Sequence, residues 1–169
     1  MDLKLVLVLV LVSDVDRAKS FYTEKVGFRL DVDHQPSDEF RVVQMTPPGS
    51  ACSITIGVGI TSAEPGSYRG THLVVTDIEA ARAELVERGV EVSEIRHFDR
   101  SAGEWRPGVD PNHTDYGSFA DLADPDGNTW VGGASRRVGE VTRRAALQAL
   151  SREGEASRRP GGDRAARRA

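Results

Sequence analysis

The hydrophobic pattern changes period several times along the chain, and each change marks an element. From Leu3 to Val12 almost every residue is aliphatic, with Lys4 the one charge. A run this short does not span a bilayer as a helix, which takes about 20 apolar residues. Its Val content and sharp polar boundary predict a strand buried on both faces. Ser13-Asp14 then supplies a helix cap, and Asp14 and Asp16 suit the positive end of the helix. Val15, Ala18, Phe21, Tyr22 and Val26 recur at helical spacing, and Gly27 ends the helix. Phe28–Asp33 alternates apolar and polar residues, as a strand does. Phe40–Thr46 and Cys52–Val58 are two more strands, joined by the turn Pro47-Pro48-Gly49-Ser50. The order over residues 3–58 is β-α-β-β-β.

The pattern then restarts. Gly70–Val75 reads as a strand, and Thr76-Asp77 repeats the Ser13-Asp14 cap 63 residues later. Ile78, Ala81, Leu85 and Val86 line one face of a second helix, which Gly89 ends 62 residues after Gly27. Val90–Ile95 is the next predicted strand, followed by a long loop from about Phe98 to Tyr116. Ser118–Ala123 and Thr129–Val131 form a last hairpin around Asp124-Pro125-Asp126-Gly127-Asn128. Pro125 belongs in neither a helix nor a central strand, and Asp126-Gly127 is a tight-turn dipeptide with Gly127 free to take positive φ. Two β-α-β-β-β units in tandem are a fold-level repeat. Neither unit buries its sheet and helix alone, whereas together they make one core.

Three segments carry a family resemblance: Val12–Tyr22 followed by Val26-Gly27-Phe28, Val75–Ala81 running to Gly89-Val90, and the Asp-Pro-Asp-Gly-Asn turn. In this order they resemble the vicinal-oxygen-chelate superfamily, which includes glyoxalase I, extradiol dioxygenases and bleomycin-resistance proteins. The resemblance covers about residues 3–132. It implies an α+β fold whose two modules, about 3–58 and 70–132 within a domain 1–134, form a curved mixed sheet with a concave cavity. It also implies a homodimer.

In metal-using relatives four positions hold the ion, and the resemblance places them on Leu7, near Ile56, on Gly70 and on Val131. None offers a nitrogen or carboxylate donor, so the expectation is a protein with no metal and no other cofactor. Its partner would be a small organic molecule held in the sheet cavity. The alternatives are a lyase, isomerase or dioxygenase-type enzyme of the same superfamily, with His72 or His113 as acid/base or a metal site at other residues, and a structural or regulatory module whose cavity is filled.

Alternation places His72 on the cavity-facing side with Gly70, and Leu5, Leu9 and Leu11 with Leu7. Trp105, His113 and Tyr116 fall in the long loop, where aromatic and imidazole groups suit an apolar or planar ligand. The ligand-binding candidates are therefore His72, Trp105, His113 and Tyr116, and the candidate catalytic groups are His72 and His113. Trp130 alternates away from Val131 and is expected under a helix.

Composition adds constraints. Cys52 is the only cysteine, which excludes an internal disulfide and a cysteine-rich zinc site and fits a reducing cytoplasm. Net charge is −4, unevenly spread: residues 135–169 hold ten Arg against four acids, +6, so the rest carries −10. An acidic body argues against nucleic acid as the partner. No calcium loop, dinucleotide fingerprint, serine elbow or P-loop is present. In the Arg-rich tail Glu140–Leu150 could form a short helix, and the remainder reads as disordered.

Overall fold

The computed structural model describes residues 3–136. The first unit comprises β1 (Leu7–Leu9), a helix α1 (Val15–Ser20) that widens into π-type turns over Phe21–Val26, then β2 (Arg29–Ser37), β3 (Phe40–Thr46) and β4 (Ser53–Val58). The second comprises β5 (Thr71–Val75), α2 (Ile78–Glu87), β6 (Arg96–Asp99), β7 (Glu104–Pro107), β8 (Ser118–Ala123) and β9 (Thr129–Ala134). The caps act as the sequence predicts. Asp14 accepts from the Arg17 amide, Asp77 accepts from the Glu79 and Ala80 amides, and Gly27 and Gly89 sit at φ 89° and 75°. A side chain at those last two positions would be strained in the left-handed region.

The duplication is visible in the strand order. The first sheet runs β1-β4-β3-β2 and the second β5-β9-β8-β6-β7. In each, the first strand pairs parallel with the last and the remaining pairs are antiparallel. The second sheet therefore repeats the first and adds β7 at its margin. The α+β architecture of two β-α-β-β-β modules is the expected one, with its strands in two mixed hydrogen-bonded sheets.

Three expectations are corrected. The aliphatic run contributes only three residues to β1, and it is not buried on both faces: Leu3, Leu5 and Val6 are 82%, 74% and 61% exposed. Aliphatic content sets strand propensity, but burial requires a covering layer, and the described residues supply one only on the helix side. Residues 90–95 make just an isolated bridge, Val92 to Leu122, and the ladder begins at Arg96. Part of the long loop is sheet, because β6 and β7 form a hairpin across Asp99–Gly103. The expected tail helix at Glu140–Leu150 and the disorder beyond it lie outside the described residues.

The core fills the helix-facing sides of both sheets. Val43, Met45, Ile54 and Ile56 from the first meet Leu122 and Trp130 from the second, with Ala18, Phe21 and Tyr22 between them. Trp130 is buried under the first helix as expected, edge-on to Tyr22 at 5.9 Å and to Phe28 at 6.2 Å. The Asp124–Asn128 turn ties the units together. Asn128 donates its side-chain amide to the Leu11 carbonyl at 2.8 Å, and Asp126 pairs with Arg17 at 3.0 Å.

Candidate functional site

Opposite the shared core, each sheet has a face that no helix among the described residues covers. On the first sheet, the register Leu7 to Ser53, Leu9 to Thr55 and Gln44 to Thr55 puts these side chains on one side, since paired residues point the same way. Leu7 and Leu9 are each 37% exposed. Behind them Thr46 shares a hydrogen bond with Ser53 at 2.7 Å and Gln44 donates to Ser53 at 3.3 Å. The Thr55 hydroxyl is buried without a partner.

The second open face is aromatic. Alternation along β8 turns Leu122 into the core and Phe119 and Asp121 away from it. Val131 lies beside Asp121, and His72 beside Val131. Tyr116, Phe119 and Val131 make a small buried cluster, against which Val74 and Trp105 pack. Trp105 stands edge-on to Phe119 at 5.8 Å and to Phe98 at 5.5 Å. One ion pair crosses this surface. Arg96 binds both carboxylate oxygens of Asp121, with Nη2 to Oδ1 at 3.2 Å, and its guanidinium lies 5.1 Å above the Trp105 ring. The pair is half exposed.

The predicted residues divide as follows. His72, Trp105 and Tyr116 share this face, but His72 stands on edge strand β5 and Trp105 on edge strand β7, with three strands between them. Trp105 belongs to β7 rather than to a loop. Tyr116 holds a left-handed backbone at φ 54° and is buried under the cluster, so its role is as a floor. Its amide donates to the Ala134 carbonyl at 2.6 Å, which fixes the strained turn on the end of β9. His113 is elsewhere. It lines a small cavity of about 210 Å³ beside the start of α2, with Thr76, Asp77 and Ser118. Alternation does not reach across a loop, so nothing in the sequence placed His113 relative to His72.

His72 also borders a larger cavity of about 610 Å³, between the outer edge of β5, helix α2 and the Pro47–Ser50 turn. Its Nε2 is buried with no hydrogen-bond partner. Sequence reasoning missed Arg96, Phe98, Phe119 and Asp121. Alternation within Ser118–Ala123 pairs Phe119 with Asp121 on one face, but which strand supplies Arg96 depends on a register that only the fold determines.

The donors at the resemblance-implied metal positions do not fit a divalent cation. Leu7 and Val131 stand on the open faces and lack donors, Gly70 has no side chain, and Ile56 is fully buried in the core, facing away. Its open-face neighbours Thr55 and Gly57 offer one hydroxyl. Among the described residues no group of three or more His, Cys, Asp or Glu is arranged to hold a metal ion. No helix among them is long and apolar enough to cross a membrane.

Known proteins share this architecture. The chain is 36% identical to TnmS3, an antibiotic binding protein from Streptomyces sp. CB03234, over 79% of this chain and 98% of that one, with a TM-score of 0.61. A glyoxalase/bleomycin resistance protein from the same Streptomyces is 35% identical, over 77% and 99% of the two chains, with a TM-score of 0.58. The uncharacterized protein YetH of Bacillus subtilis is 29% identical over 73% of this chain and 92% of its own length. Residues 4–131 match the model of the Glyoxalase/Bleomycin resistance protein/Dioxygenase superfamily, and the chain belongs to that superfamily.

Proposed function

We propose that the protein binds a small, flat organic molecule on the aromatic face of its second sheet and sequesters it in the cytoplasm, without a metal, as a homodimer. The observation that carries this reading is the face itself. Trp105 and Phe98 are partly exposed over the buried Phe119 and Val131, an apolar surface with a few polar groups at its margins, the composition of small-molecule sites. The similarity to an antibiotic binding protein supports a ligand of that kind. The partner subunit's role is closure: Leu7 and Leu9 stand 37% exposed on the first sheet's open face, and a second copy would cover them.

Titration of a panel of planar aromatic antibiotics tests the reading. Binding should quench Trp105, and Trp105→Ala should weaken the affinity by roughly 1–3 kcal/mol. His72→Ala should cost less, about 1 kcal/mol, the worth of one neutral hydrogen bond. The reading fails if no compound binds, or if Trp105→Ala binds as well as the parent. The unpartnered Nε2 also suits an acid/base group, and that second reading requires turnover which His72→Ala abolishes.

A further inference from the structure

We propose that Arg96 sets the specificity of the aromatic face, and that the face takes flat aromatic molecules bearing a carboxylate or an equally strong hydrogen-bond acceptor, in preference to cationic ones. This deepens the small-molecule reading above and rests on it.

A guanidinium has five N–H groups in a rigid fork. Asp121 engages one on each terminal nitrogen of Arg96, which leaves three. Asp121 accepts one of those bonds on each oxygen, so its charge is already neutralised in place. A cationic ligand on the Trp105 ring would meet the guanidinium that already lies over it, like charge against like charge. An acceptor displaces only water and adds a charge-assisted hydrogen bond, the strong kind.

The position of the pair supports this. Arg96 lies opposite the buried Phe119 in the ladder and reaches over the Trp105 ring, so its free N–H groups border the partly exposed aromatic surface of Trp105 and Phe98. The side chains of Arg96 and Asp121 are 30% and 40% exposed, so a ligand can reach them from the open side. A ring laid on that surface brings an in-plane acceptor to the guanidinium. Asp121 holds the fork in place, and Trp105 keeps it flat against the wall.

The test uses the full-length protein and three probes of one shape: naphthoate, naphthamide and naphthylmethylammonium, titrated by calorimetry. Naphthoate should bind about tenfold tighter than the ammonium probe. Arg96→Gln should abolish that preference while changing naphthamide affinity by no more than about threefold. Arg96→Lys keeps the charge but not the fork, so it should restore the preference only in part. A thermal melt of each variant confirms that it is folded. Equal affinity for the two charged probes, tighter binding of the ammonium probe, or a preference that survives Arg96→Gln would overturn the assignment and leave small-molecule binding standing. Failure of all three probes to bind would overturn both.

Discussion

Asp124 is the residue on which the two units turn. It is 5% exposed, yet its carboxylate accepts four hydrogen bonds: from the Tyr22 hydroxyl at 2.8 Å, the Asn128 side chain at 2.7 Å, and the amides of Asn128 and Asp126 at 2.9 and 3.0 Å. A buried charge is tolerated when its lone pairs are filled in this way. Tyr22 in turn accepts from the Trp130 indole at 3.1 Å. Burial, and then the neighbouring Asp124 charge, push the Tyr22 phenol far above its ordinary value of 10.0. The sign of the resulting pH dependence follows. Above about pH 10 the unfolded chain gives up this proton and the folded chain keeps it, so the stability present below that pH is lost as pH rises. The melting temperature should therefore fall between about pH 9 and 11, and the fall should be shallower in Tyr22→Phe, though that variant starts lower because Asp124 and Trp130 each lose a partner. Parallel curves for the two proteins would show that Tyr22 is not responsible. The sequence marked this turn by its Pro, Gly and Asp, which are local signals. It did not reveal the network, because Tyr22 and Leu11 lie more than a hundred residues away and only the tertiary fold joins them.

At the level of elements, what was legible follows the same division. Both helices, their caps and the β-α-β-β-β repeat rest on periodicity and capping chemistry, which are local, and they form where the spacing predicts. The β6–β7 hairpin was missed although it has a local signature. Asp99 accepts from the Ser101 and Ala102 amides, and Gly103 takes φ 67° to close the turn. Its strands read as a loop because Arg96-His97 and Glu104–Pro107 are polar, and polar edge strands are common where solvent covers one side. Conversely, residues 90–95, which alternate apolar and polar at Val90, Glu91, Val92 and Ser93, were read as a strand, but they form only the isolated bridge from Val92 to Leu122. The turn that follows β7 depends on Gly117. A Cβ there would lie 2.4 Å from Thr114 Oγ1 and 2.5 Å from Asp110 Oδ2. Asp110 is buried and accepts from the Asn112 and Thr114 amides, so it has little room to yield. Gly117→Ala should therefore destabilise the protein by about 1–3 kcal/mol, the usual cost of overpacking. Chemical denaturation measures this, and an unchanged midpoint would mean that the turn shifts freely.

For the molecule as a whole, the distribution of exposed apolar residues is lopsided. Among the described residues, nine of the ten large hydrophobics that are substantially exposed belong to the first unit, and Val86 is the exception. Leu3 and Leu5 extend ahead of β1, and the Val6 carbonyl accepts from the Ser53 amide at 2.9 Å. Leu7 and Leu9 stand on a sheet face backed by Thr46, Ser53 and Thr55, and the hydroxyl of Thr55 is unpaired. An apolar surface of this extent, continuous with an open sheet edge, is a liability for a lone chain in water, because an uncovered strand invites pairing. The proposed homodimer covers it, and a closed two-fold pair is the commonest way to do so. Sedimentation equilibrium at micromolar concentration should therefore give about twice the 18.3 kDa chain mass. Leu7→Glu tests the surface directly. It sets a carboxylate among leucines that a partner would bury, while in the single chain that side chain remains partly in water. The variant should sediment as a monomer with its helical circular dichroism intact, since the core beneath β1 is built from Val10, Ile54 and Ile56 and is untouched. If the parent sediments only at the single-chain mass, the first sheet's open face is not a subunit interface. If Leu7→Glu leaves a dimer of undiminished affinity, the subunits meet elsewhere.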